Sequence, residues 1–128
     1  MSAPDIVALG DALVIAAEAA QRARLAYDSA ARMAVLSAFG VANWDGTGLK
    51  VVQGEYNERW LILHHDAKRR AWVSMASAVL GGPGARVEAL ADTPRSAVDQ
   101  ALAALAKTHP EAATALAAVV PPSPTEST

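Results

Sequence analysis

Apolar residues recur along the first third of the chain at alternating spacings of three and four: Ile6, Leu9, Leu13, Ala16, Ala20, Ala23, Tyr27, Ala30 and Ala34. That rhythm is the heptad pattern of a helix presenting one apolar seam. Ser2, Ala3, Pro4 and Asp5 supply a start, with Ser2 placed to cap and Asp5 near the exposed amides and the positive end of the helix dipole. Gly40 after Phe39 supplies a stop. The predicted helix has roughly 35 residues and is about 50 Å long at 1.5 Å per residue, more than a small core needs. Either it breaks near Tyr27, Asp28 and Ser29, with Asp28 capping a second segment, or its far end packs on another helix or another copy of the chain. Large side chains fill the seam early and alanines later, so a partner backbone can come close along the alanine part.

Between Leu49 and Ala76 the period changes to two. Asn43–Gly48 is a turn-rich connector, Leu49–Gln53 a first strand, Arg59–His65 a second, Asp66–Arg69 a hairpin loop and Arg70–Ala76 a third strand. The second strand sets Trp60 and Ile62 on one face and Leu61 and Leu63 on the other, the two-sided apolar pattern of a mid-sheet strand. Gly81, Gly82, Pro83 and Gly84 break the chain, and residues 85–91 form a fourth edge strand or extended coil.

Helical periodicity returns afterwards. Asp92 or Thr93 caps a helix with Pro94 in its first turn and Val98, Leu102 and Leu105 as its stripe. Thr108 and Glu111 have capping-box spacing for a last helix striped by Leu116, Val119 and Val120. Residues 121–128, rich in proline, serine and threonine, read as a disordered tail. The expected fold is α+β: a long N-terminal helix, a three- or four-stranded antiparallel meander sheet and two C-terminal helices, making one domain over 1–120.

Composition narrows the function classes. The chain has 128 residues, of which 52% are hydrophobic and only 5% aromatic, so Ala, Val and Leu must fill the core. A net charge of -2 gives no overall attraction to nucleic acid or anionic membrane. Absence of cysteine removes disulfides and thiol chemistry. The apolar run from Ile6 to Ala20 is interrupted by Asp11 and Glu18 and preceded by no positive charge, so it reads as neither signal peptide nor membrane span. The expected location is the cytoplasm.

Candidate chemistry gathers in the meander. His64, His65 and Asp66 form the one cluster suited to acid–base work, with Glu55 and Glu58 as carboxylates from the neighbouring hairpin. Adjacent strand residues point to opposite faces, however, so only one histidine can join a given site, and the spacing matches no metal-ligand pattern. Lys68, Arg69 and Arg70 with Trp60, Trp72 and Tyr56 have the composition of a phosphate-and-stacking surface or of a protein hot spot. Asn43, Asp45 and Thr47 imitate half of a calcium loop, but Gly54 stands where the bidentate Glu belongs. The Gly81–Gly84 stretch lacks the Lys-Ser/Thr of a phosphate loop, and no nucleophile elbow is present.

The order helix, three strands, helix resembles that of double-stranded-RNA-binding domains. Those domains place a lysine cluster at the start of the second helix, where this chain has Asp92, Thr93, Pro94 and Arg95. Size and acidity are similar to those of secretion-type chaperones, which also combine helices with a meander sheet. The leading expectation is a small non-enzymatic protein-binding module, an inhibitor or adaptor of a larger machine. Its binding residues are expected to be Leu9, Leu13, Ala16, Ala20 and Ala23 on the helix and Trp60, Lys68, Arg69, Arg70 and Trp72 on the hairpin. A homodimer through the helix is one form of that reading; no cofactor, metal or membrane partner is expected. The alternatives are a small enzyme using a strand-end histidine and an RNA-binding module.

Overall fold

A computed structural model of the chain describes residues 5–56, 58–78, 85–122 and 124. The elements run α1 (Ile6–Phe39), β1 (Leu49–Gln53), β2 (Arg59–Asp66), β3 (Ala71–Ala78), β4 (Ala85–Ala91), α2 (Pro94–Ala106) and α3 (Pro110–Val119). The four strands make one antiparallel sheet in the order β1-β2-β3-β4. The α+β arrangement is therefore the expected one, and residues 85–91 are a strand, paired with β3 from Ala78 opposite Ala85 to Trp72 opposite Ala91. Ser2 and the Gly81–Gly84 break lie outside the described residues.

Helix α1 is continuous. Asp5 starts it, its Oδ1 accepting from the backbone N–H groups of Val7 and Ala8. Gly40, at φ +76°, ends it in the left-handed conformation that glycine takes without strain, its N–H donating to Leu36 O at 2.8 Å. Asp28 caps no second segment; it pairs with Arg24 one turn earlier at 3.2 Å. Contacts divide the chain into two compact units, residues 1–30 and 31–128.

In the first unit every residue from Asp5 to Ala26 is exposed, Ile6 at 82% and Leu13 at 71% among them. The second unit holds the core. Ala31, Val35 and Phe39 from the last turns of α1 join Leu49, Leu61 and Leu63 from the sheet, Val98 and Leu105 from α2, and Leu116 from α3. The buried residues of α1 are Ala31, Val35 and Phe39; of the expected seam residues, Ala34 is partly buried against this core and Ala30 is exposed.

Pairing places Leu61 between Val51 and Ala76, and Leu63 between Leu49 and Ser74, on the helix-covered face. Trp60, Ile62 and His64 point to the other face. Ala67–Arg70 closes the β2–β3 hairpin: Asp66 Oδ1 accepts from the N–H groups of Lys68 and Arg69, and Arg70 leaves the turn at φ +55°. Thr93 caps α2 by accepting from Ser96 N–H, with Pro94 at the first helical position. For α3 the cap is His109 rather than the expected Thr108. The N–H groups of Thr108 and His109 both donate to Leu105 O, so Thr108 still finishes α2. Val119 is exposed, leaving Ala112, Ala113 and Leu116 as the buried stripe of α3.

One side chain ties three segments together. Arg95, in the first turn of α2, donates to Ala38 O at 2.9 Å and to Pro121 O at 3.0 Å, and its guanidinium lies 4.2 Å from the centroid of the Phe39 ring. It thereby satisfies a carbonyl at the end of α1 that the helix itself leaves open. No helix among the described residues is long and apolar enough to cross a membrane.

Leu61 is fully buried in the middle of the core. Leu61→Ala should lower the unfolding free energy by about 2–5 kcal/mol, read from urea denaturation followed by far-UV circular dichroism.

Candidate functional site

The five expected helix residues, Leu9, Leu13, Ala16, Ala20 and Ala23, are all exposed and share one stretch of α1. Val14 and Ile15, exposed as well, widen the apolar surface beyond the seam.

The hairpin residues are not brought together. Paired residues of β2 and β3 have numbers summing to 137, as in Trp60 opposite Ser77 and His65 opposite Trp72. An even-numbered residue of β2 and an even-numbered residue of β3 therefore face opposite sides. Trp72 lies under the helices at 7% exposure, edge-on to His65 with ring centroids 5.1 Å apart. Trp60 is half-buried on the open face, with the Arg86 guanidinium 5.7 Å from its ring. The basic triplet sits at the far end of β2 from Trp60. Arg69 is ion-paired with Glu88 at 2.9 Å and with Asp66 at 3.4 Å, and Lys68 and Arg70 are exposed.

His64 and His65 split between the two faces, as adjacent strand residues must. His64 meets the edge of Trp44 at 5.4 Å, and its Nδ1 is buried with no hydrogen-bond partner among the described residues. Glu58 does not approach either histidine. Its carboxylate turns back to accept from Tyr56 N–H, and it fills the space over Gly54, where a Cβ would stand 2.0 Å from its Cδ. No group of three His, Asp or Glu side chains among the described residues is placed to hold a metal ion. At the start of α2, where the RNA-binding resemblance would need cations, Arg95 is committed to Ala38, Pro121 and Phe39.

What sequence reasoning missed lies on the open face. Trp44, Lys50, Val52, Trp60 and Ile62 line an open cleft of about 320 Å³. Lys50 and Val52 of β1 pair with Ile62 and Trp60 of β2, so one patch of the sheet forms the floor. Trp44 reaches it from the connector, in a run of three positive φ angles: Trp44 at 56°, Asp45 at 63° and Gly46 at 88°. The loop is pinned by reciprocal bonds between Asn43 and Gly48, by Asp45 accepting from Thr47, and by Asn43 Oδ1 accepting from Lys50 N–H. Gly48 is required because a Cβ there would stand 2.2 Å from Leu63 O. The available signal was the shared strand parity of Lys50 and Val52 with Trp60 and Ile62 once the register is known. A second cavity, of about 580 Å³, is lined by Ala38, Arg95, Asp99, Leu102 and Val120 among others.

Two carboxyls are held below their ordinary range. Glu58 is lowered chiefly by its own backbone N–H and that of Tyr56, against an opposing effect of burial. Asp66 is lowered chiefly by the Arg69 N–H, again opposed by burial, with Lys68 N–H and nearby positive charge assisting. A carboxyl depressed in the folded state contributes stability above its ordinary value, 4.5 for Glu58, and loses it as pH falls through the lower folded value. Glu58→Gln should therefore reduce stability at neutral pH and make the acid limb of a stability-against-pH curve shallower, measured as urea midpoints across a pH series. An acid limb of unchanged slope would show that Glu58 is not the linked group.

Compared with protein-family models, curated proteins and solved structures, the chain matches none.

Proposed function

We propose that this protein is a protein-binding module, acting as an adaptor or inhibitor of a larger assembly by contact rather than by catalysis, with α1 as the contacting element. The observation that carries the reading is the uninterrupted exposure of α1 from Ile6 to Ala26, with Ile6, Val7, Leu9, Leu13, Val14, Ile15 and Leu25 all turned to solvent. Contiguous apolar surface on a helix is the hallmark of helix-in-groove and helix–helix recognition. A cytoplasmic setting belongs to the same reading.

A second copy of the chain is the partner that the seam fits best. Large residues occupy its N-terminal part and alanines the rest, Tyr27 excepted. Parallel pairing would gather Ile6, Leu9 and Leu13 of both copies at one end. Antiparallel pairing sets Ile6 against Ala30, Leu13 against Ala23 and Ala16 against Ala20, with Leu9 against Tyr27 as its one large-on-large pair, so the bulky residues are spread along the seam. It also opposes the two helix dipoles favourably.

Sedimentation across a concentration series tests this, with the full chain expected to dimerise. Burying a leucine is worth roughly 1.5–3 kcal/mol and a dimer has two copies of Leu13, so Leu13→Glu should weaken association by roughly a hundredfold or more. A wild-type chain that stays monomeric removes the second copy as partner. If, in addition, Leu13→Glu captures the same host proteins as wild type, α1 is not the contact and the binding reading of this helix falls.

A further inference from the structure

We propose that the cleft between Trp44 and Trp60 is a binding site for a small aromatic carboxylate, its ring lying against the indoles and its carboxylate meeting the ammonium group of Lys50. The site is separate from the surface on α1, and its occupant follows from the chemistry of its walls. Two indoles with Val52 and Ile62 favour a flat apolar group, and a cleft of about 320 Å³ has room for a ring system. Among the described residues no acid lines the cleft. Among the described residues Lys50 forms no ion pair, whereas Glu88, on the same sheet face, is paired with Arg69. The Arg86 guanidinium over Trp60 adds to the positive potential. An anion is therefore favoured, and Lys50, the one cation among the described lining residues, suits a monoanion. A phosphate dianion would call for a helix N-terminus or a nest of backbone N–H groups, and the lining residues belong to strands and a turn.

The backbone of Trp44 is an independent observation. A bulky residue at φ +56° occupies a left-handed region that non-glycine residues enter rarely and with strain. The strained turn nevertheless holds its indole 38% exposed at the mouth of the cleft. Strain of this kind, stored where an aromatic side chain is displayed, is characteristic of binding loops. A free small molecule is favoured over a peptide side chain because strand addition, the main source of affinity for an extended peptide, is obstructed beside the cleft. Asn43 Oδ1 already occupies the N–H of Lys50.

The test is titration of the full chain with 2-naphthoate and with its neutral isostere 2-naphthamide, followed by the indole N–H resonances of the three tryptophans. The expected result is saturable shifts at Trp44 and Trp60 but not at buried Trp72, with naphthamide weaker by about fivefold. Trp60→Ala should weaken naphthoate at least about fivefold. Lys50→Gln, at an exposed position and so safe for the fold, should abolish the preference for the anion. Four results would overturn the proposal: no shift at either indole, unchanged discrimination in Lys50→Gln, tighter binding of adenosine monophosphate than of naphthoate, or tighter binding of a capped Glu-Phe-Glu tripeptide. The last two would assign the cleft to a nucleotide or to a polypeptide.

Discussion

A strand has two faces, and β2 commits Leu61 and Leu63 to the one beneath the helices. Most of the second unit depends on that commitment. With period two along the strand, Trp60, Ile62 and His64 must face the other way. With antiparallel pairing, Lys50 and Val52 join them from β1, and Met75, Ser77, Glu88 and Arg86 join them from β3 and β4. Slipping the β2–β3 register by one residue would exchange the two sets, exposing part of the core and burying charges. The open face is thus a consequence of core packing, and it carries Trp60, Lys50 and Arg86 beside Glu88 and Leu90.

Much of the fold could be read from the sequence because it rests on local signals. The end of α1 follows from Gly40, β1 from the β-branched pair Val51 and Val52 after a turn-rich connector, and the start of α2 from Thr93 and Pro94, whereas at the start of α1 it is Asp5 that accepts from the first free N–H groups. The features that were harder to read depend on non-local relations. Trp60 and Trp72 share an interaction-prone composition, yet the register sends one to the open face and the other into the core. Thr108 has the spacing of a cap, but the end of α2 claims it first. Trp44 belongs to the cleft only because a left-handed turn carries it there, and a tryptophan in that conformation is what local preference argues against. For the candidate sites, then, residue types were legible and their grouping was not.

The helix poses a different problem. Most helical stability in proteins comes from burying one face, and an isolated helix gains little from propensity alone. The Ala31–Phe39 end of α1 has such a face in the core. The part from Ile6 to Ala26 is rich in alanine, which favours the helix intrinsically, but its aliphatic side chains gain nothing from solvent. An apolar helical surface of this extent costs solubility and invites association. Intrinsic propensity accounts for the helix being formed; it does not account for leucine, isoleucine and valine on it, where glutamate or lysine would form the helix as well. The association proposed for α1 would account for both.

The two surfaces also differ in the kind of specificity they can support. In the proposed pairing the α1 seam would discriminate by shape, its side chains running from Ile6, Leu9 and Leu13 to alanines interrupted by Tyr27. The cleft discriminates by chemistry, since two indoles accept most flat rings and one ammonium group decides the sign of charge. Its precision depends on rigidity. The Asn43–Gly48 ladder, the Asp45–Thr47 bonds and the bond from Lys50 N–H to Asn43 hold Trp44 against backbone strain. A loop that merely joined α1 to β1 could place glycine or asparagine at this position and relax, so the placement of an indole there is better explained by what the indole touches than by the path of the chain.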